Sequence, residues 1–324
     1  MQEYNIWQAE FEHKLIVIVG DLGKSQLGMS EENFERLAIQ SSVVFHLGAH
    51  VNFTQPYSFH RPANVLGMLE ILRFSRTGRV KALHYVSTLS AYGPTRAITG
   101  TTFLHEDEPP LRHLNAVSYD IGYSQSKWVA EQLVWSEISR GFPICIYRPG
   151  FVLGHSITGT LNKNDFISRL ITSSIDSGFF PLLPDEYKEF IPVDFVTNSI
   201  LHISSFAGNI GHAYNLVPER RESLDLISTL RLLGQYGGYN LQGISYKEWV
   251  DKVRQNQADS MHPFLPLLEE NVYQDLTLWE LYRDLAVYDT ANTQSSLQAL
   301  SQPTKPPPLD GNLIMLYLKM WTKR

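Results

Sequence analysis

In Gly122-Tyr-Ser-Gln-Ser-Lys-Trp-Val-Ala-Glu-Gln-Leu133 a tyrosine and a lysine stand four positions apart, and well before them Ser87-Thr88 closes an apolar run of strand length. Residues i and i+4 of a helix share one face, so Tyr123 and Lys127 reach the same cleft. A phenol with its ordinary pKa of about 10 is a poor acid or base at neutrality, and a neighbouring ammonium favours the phenolate. The chemistry these side chains suit is proton transfer at a carbonyl oxygen. Tyr123 exchanges the proton, Lys127 tunes it, and the Thr88 hydroxyl holds the substrate oxygen at a strand's carboxyl end, where open α/β sheets bind ligands. Hydride for such a reduction has to come from a nicotinamide, because no side chain supplies one. Alone the pair is weak evidence in a chain of 16 tyrosines, since a solvated helix carries the same spacing by chance. The apolar run before it, and a second one at 144–147 leading into Arg148-Pro-Gly150, supply the context that favours a site.

To position these groups the chain must alternate strands with helices. Apolar runs at 15–19, 43–47, 82–87 and 144–147 have strand length, and helical patterns separate them. Ser30 is placed to cap a helix with Glu31 and Glu32 in its first turn and Phe34, Leu37 and Ala38 on its buried face. Residues 64–74 carry Val65, Met68, Leu69 and Leu72 at helical spacing. This order predicts an α/β, Rossmann-like doubly wound parallel sheet. Beyond Gly154 the alternation gives way to longer loops and helices, with short strand candidates at 190–194 and 213–216. The last third is rich in Leu, Trp and Tyr, is interrupted by Pro303 and Pro306 to Pro308, and reads as a helical lid over the strand ends. The expected division is residues 1–160, with 190–216 returning to them, as an incomplete cofactor and catalytic domain, and 161–324 as the smaller, mostly helical substrate-binding region.

Composition narrows the function classes. Hydrophobic residues at 43% and aromatics at 12% suit a globular chain, and a formal charge of −6 without a Lys/Arg run argues against nucleic acid as partner. The single cysteine, Cys145, sits in an apolar run and reads as a buried structural thiol in a reducing compartment. The opening Met1-Gln-Glu-Tyr-Asn-Ile-Trp lacks the pattern of a secretory leader, and no apolar run approaches the roughly 18 residues of a membrane span, so a cytoplasmic location away from membranes is expected. The eleven histidines form no metal-ligand motif; His46 and His50 read as strand-end or loop residues.

With these residues in place, the chain resembles the C-terminal thioester reductase domains of non-ribosomal peptide synthetases, polyketide synthases, and carboxylic and aminoadipic acid reductases, which are extended short-chain dehydrogenase/reductases. The resemblance rests on Gly20-Asp-Leu22, His46-Leu-Gly-Ala-His-Val-Asn52, Pro56-Tyr57 with Arg61 and Asn64-Val65, Val86-Ser-Thr88, Gly122-Tyr-Ser-Gln-Ser-Lys-Trp128 and Arg148-Pro-Gly150. Val193-Asp-Phe-Val196 and Tyr246-x-x-Trp249 also fit. It implies that Thr88, Tyr123 and Lys127 form the catalytic triad. It also implies that Asp21 and Leu22 lie by the adenine of NADPH, Gly48, Ala49 and Asn52 along the cofactor, and Pro149 and Gly150 near the nicotinamide. The implied reaction is reduction of an acyl thioester on a phosphopantetheinyl carrier protein or domain to an aldehyde or alcohol, in secondary metabolism or amino-acid biosynthesis. Gly20-Asp21 is equally compatible with an ordinary turn, and Asn64 with a helix cap.

Two departures from the family pattern stand out. Met68 takes the place of a threonine, and the strand, Gly-x-x-Gly-x-x-Gly turn and helix that open the family are missing ahead of residue 15, so that the sheet reads as N-terminally truncated. Gly234-Gln-Tyr-Gly-Gly238 follows no convincing strand and does not replace that turn. If 15–19 and 43–47 are the family's third and fourth strands, the two either pair directly or 15–19 is left poorly supported. The alternatives are a non-catalytic fragment or scaffold, a redox-neutral Dieckmann-type release domain, and a nucleotide-sugar epimerase or dehydratase using the same triad.

Overall fold

Short runs rich in β-branched and aromatic residues form the central sheet of the computed structural model, which describes residues 7–183, 186–299 and 305–322. Strands Val43–His46, Ala82–Val86, Ile144–Pro149 and Ala213–Leu216 lie side by side in that order. All three pairings are parallel: Val43 opposes Ala82, Leu83 opposes Ile144, and Ile146 opposes Ala213. Parallel strands need crossovers, and the helices Gly67–Arg76, Gly122–Ile138 and Val193–Ser204 lie on the three connections. The period of two along Ile144–Pro149 divides the packing between the faces. Ile144 and Ile146 pack with Met68, Ile71, Leu72, Ala130 and Val134, whereas Cys145 and Tyr147 pack with Phe195, Val196, Ile200, Ile203 and Leu297. A strand covered on both sides has no solvent face, which is why this segment reads as a continuous apolar run. The doubly wound sheet is therefore present.

Local expectations hold at the first helix. Ser30 Oγ accepts the Asn33 amide at 3.3 Å, and Phe34 and Ala38 are buried with Leu37 half-buried. The second helical segment begins as a π turn, Pro62–Leu66, and continues as Gly67–Arg76. Met68, Ile71 and Leu72 form its buried stripe, and Leu69 falls on the flank at 46% exposure. Asn64 is not a helix cap. Its side-chain oxygen accepts the His50 amide at 2.7 Å while its Nδ2 donates to the His50 carbonyl at 2.9 Å and to Ser126 Oγ at 2.8 Å.

Residues 15–19 form no strand. Ile16, Val17 and Val19 are about nine-tenths exposed, and among the described residues nothing pairs with the outer edge of Val43–His46. The poorly supported outcome is the one observed, because an extended segment without a neighbouring strand has no ladder to join. Anchoring resumes two residues on. The Asp21 amide donates to the Leu27 carbonyl at 2.7 Å, the Gln26 amide donates to Glu70 Oε2 at 3.0 Å, and Leu22 packs on the core beneath the first sheet face.

A separate apolar cluster occupies the later part of the chain and includes Leu161, Leu170, Phe180, Leu230, Trp249, Leu268, Trp279 and Tyr317. Helices predominate there, but paired strands are present as well: Phe179–Leu182 runs parallel to Gln242–Ser245. Tyr317, on the helix Gly311–Trp321, donates its hydroxyl to the Gly154 carbonyl at 2.7 Å and ties this region to the end of the sheet. Residues 1–6 and Pro303, read above from sequence, lie outside the described residues. Among the described residues no helix is long and apolar enough to cross a membrane.

Candidate active site

The helix Gly122–Ile138 begins where the backbone of residues 55–57 crosses it. A Cβ on Gly122 would lie 2.3 Å from the Tyr57 amide nitrogen and 2.6 Å from the Gln55 carbonyl, so only glycine permits this approach. One position on, Tyr123 faces a cavity of about 290 Å³ that Thr88, Ser90, Pro149 and Gly150 also line. Thr88 lies two residues beyond the strand Ala82–Val86 and caps the following turn, its Oγ1 accepting the Ser90 amide at 3.3 Å. Gly150 is placed by a close approach like that at Gly122, since a Cβ there would meet the Glu189 carbonyl at 2.2 Å. Four of the sequence-predicted residues, Thr88, Tyr123, Pro149 and Gly150, are thus brought to one wall.

Lys127 lies one turn below Tyr123 and is buried. Its Nζ donates to the Val86 carbonyl at 2.9 Å and sits 4.3 Å from the centroid of the Tyr85 ring. Burial lowers its pKa to about 7, against the opposing pull of Glu131. Burial also pushes the Tyr123 phenol up to about 12. The expected lowering of the tyrosine by the lysine is not what the protein alone gives. Desolvation disfavours the charged form of each group and acts on both together. His46, closing its strand, is driven down to about 3 by burial and by the Lys127 charge.

One turn beyond Lys127 lies a buried ion pair that sequence reading missed. Arg148 Nη2 donates to Glu131 Oε1 at 2.6 Å and its Nε to the same oxygen at 3.0 Å, with both side chains fully buried. Arg148 Nη1 also donates to the Glu106 carbonyl at 2.8 Å, and Ser87 donates to Glu131 Oε2. The network joins the strand end leading to Thr88, the helix Gly122–Ile138 and the Arg148-Pro149-Gly150 corner. Its signal was present in Glu131, one helical turn beyond Lys127, and in the arginine before Pro149.

The residues expected along a dinucleotide separate into groups. Leu22 packs against Gly48 and Gly67 at the end of the Val43–His46 strand. Asp21 is exposed; its carboxylate accepts the Gly23 amide at 2.9 Å and pairs with Lys24 at 3.4 Å, interactions that hold its pKa down. Ala49 is half-buried in the following loop. Asn52 Oδ1 accepts the amides of Thr54 and Gln55 at 2.9 and 3.2 Å and so shapes the turn between Val51 and Phe53, both of which line the cavity. Val51 and Phe53 thus meet Thr88 and Tyr123 at the apolar cavity, while Leu22 packs at Gly48 outside it. For the diphosphate this sequence contains no Gly-x-x-Gly-x-x-Gly turn.

Comparison with known proteins agrees with this geometry. The profile of a family described as male sterility protein, an NAD-binding family, matches residues 1–200. The chain is 46% identical to the aldehyde reductase lnaA of Aspergillus flavus over 98% of its length, and 44% identical to the non-canonical nonribosomal peptide synthetase hkm10 of Aspergillus hancockii, also over 98%. In each case it spans 31% of the relative, so about a third of the curated proteins it matches. Among solved structures, the terminal R domain from the myxalamid PKS-NRPS biosynthetic pathway superposes with a TM-score of 0.85 at 32% identity, covering 98% of this chain and 77% of that one.

Proposed function

The chain belongs to the male sterility protein family of NAD-binding domains, and from that premise we propose that it reduces an acyl thioester held on a phosphopantetheinyl carrier domain, using NADPH and releasing an aldehyde or alcohol in secondary metabolism. The observation that carries the reading is the convergence of Thr88 and Tyr123 on one apolar cavity, with Lys127 buried a turn below and Pro149-Gly150 at its wall. Reduced nicotinamide, when bound, supplies the hydride. Thr88 and Tyr123 hold the carbonyl oxygen by hydrogen bonds, Tyr123 delivers the proton that its raised pKa keeps on the phenol at neutral pH, and the hemithioacetal so formed breaks its C–S bond to release the aldehyde and the carrier's thiol. Lys127 lends positive charge beneath the phenol as the proton leaves. The apolar walls exclude water, which strengthens both hydrogen bonds. In this reading residues 1–160 with 190–216 carry cofactor and catalysis, 161–324 hold the acyl group, and Asp21, Leu22, Gly48, Ala49 and Asn52 flank the cofactor. Cys145, buried and donating to the Asn209 carbonyl at 3.2 Å, suits a reducing, cytoplasmic setting.

The test is NADPH oxidation with an acyl thioester loaded on a carrier domain. Tyr123→Phe is expected to lower turnover by roughly 10²- to 10⁴-fold, the usual worth of a positioned general acid. Undiminished turnover would remove the assignment. A second reading, a non-catalytic scaffold, is favoured by the exposed segment 15–19 and the bare edge of Val43–His46. A folded chain that binds no NADPH would support it.

A further inference from the structure

The cavity that takes the acyl group is mostly apolar, with Phe53, Phe151, Phe166 and Trp279 in its walls. Three charged side chains also line it, and two of them have a counter-charge, Glu186 for Lys188 and Arg169 for Asp165. Lys188 Nζ pairs with Glu186 at 2.7 Å. Asp165 caps the helix Phe166–Ser177, accepting the Ser168 amide at 2.7 Å and the Ser168 hydroxyl at 3.1 Å. Asp120 is the third. It is 8% exposed, its Oδ1 accepts the Ile121 amide at 2.7 Å, and its Oδ2 accepts the Tyr282 hydroxyl. Among the described residues no Lys, Arg or His forms an ion pair with it. A carboxylate placed in an apolar cavity without a cation is costly, and a ligand that brings the cation repays that cost.

Resting on the reductase reading above, we propose that Asp120, braced by Tyr282, recognises a free ammonium on the acyl group. The substrate class is then an aminoacyl thioester with an apolar or aromatic side chain, as opposed to an N-acylated peptidyl thioester or an acyl group without an amine. The position supports an amine next to the reacting carbonyl. Asp120 precedes Tyr123 by three residues, two before the helix Gly122–Ile138 begins, and both face one cavity. The aromatic walls add to the attraction, since ring faces stabilise a desolvated cation. Tyr282 belongs to the later region and Asp120 to the catalytic helix's lead-in, so the site closes only where the two regions meet.

The test is titration calorimetry of the chain with L-phenylalaninol, its N-acetyl derivative and des-amino phenylpropanol. Phenylalaninol is expected to bind about tenfold or more tightly than the other two, the usual worth of a charge-assisted hydrogen bond. Asp120→Asn should collapse that preference and Tyr282→Phe should reduce it; the second variant carries the comparison should the first fail to fold. Equal binding of the three alcohols, binding of none, or a preference that survives Asp120→Asn and Tyr282→Phe would overturn the proposal. Preference for phenylalaninol in a chain that reduces no thioester leaves the ammonium site standing and removes the reductase reading. Reduction of aminoacyl and des-amino thioesters with equal kcat/KM does the opposite.

Discussion

Lys127 carries a titration that separates the fold from the unfolded chain. Buried beneath Tyr123, it loses its proton near pH 7, whereas a lysine in water keeps its proton to about 10.4. Between those values the unfolded state binds more protons, so the contribution of this residue to stability rises with pH. Below pH 7 the buried ammonium imposes its full penalty; above about 10.4 the penalty is gone. Urea unfolding of the cofactor-free chain between pH 7 and 9.5 is expected to show the stability of wild type relative to Lys127→Met climbing with pH, by up to roughly 1.4 kcal/mol per unit. A flat difference would mean that Lys127 stays charged in the fold. That Thr88 and Tyr123 meet at one cavity with Lys127 a turn below was legible, because helical spacing and a strand end are local patterns. Asp120 with Tyr282, and Asn64 with Ser126, were not, because each is a contact between chain segments far apart in sequence. The burial that raises the Tyr123 phenol was not legible, since sequence supplies the neighbouring ammonium but not the depth at which the ring lies.

Among the elements, an apolar run became a strand wherever a neighbouring strand was there to pair with it, as at Val43–His46, which is paired on one side only. Residues 82–87 and 144–147 read as strands and are strands, central in the sheet and paired on both sides. Residues 15–19 carry an equally apolar run, but a strand is a property of its neighbours, and this one has none. Hydrogen exchange should therefore split the apolar runs. Amides of 15–19 are expected to exchange near the rate of an open chain, while those of Ala82–Val86 and Ile144–Pro149 exchange only through global opening. Protection at 15–19 comparable to that of the central strands would show a pairing that this sheet lacks, for example with a second copy. The turn that follows is expected to be protected at Asp21 and Gln26, whose amides are bonded to Leu27 and Glu70.

For the whole molecule the question is whether this sheet holds a dinucleotide unaided. Doubly wound sheets bind the diphosphate at a glycine turn and helix N-terminus beside the central strand, where several amides point at the anion. Here the sheet order ends at Val43–His46, with Leu22 packed against Gly48 just beyond that strand, and this sequence contains no Gly-x-x-Gly-x-x-Gly turn. Hydrogen bonds to a charged group contribute about 1.5–3 kcal/mol each, so lacking two of them weakens binding by roughly 10²- to 10⁴-fold. NADPH is expected to bind the folded chain in about the millimolar range. Titration calorimetry, with circular dichroism to establish folding, measures this directly. Micromolar binding would mean that amides along the bare edge organise around the diphosphate, which would also draw 15–19 into order. Because a ligand that binds only the folded state raises stability through mass action, the same titration followed by thermal unfolding gives a second reading of the affinity. Agreement between the two would tie the cofactor to the native sheet.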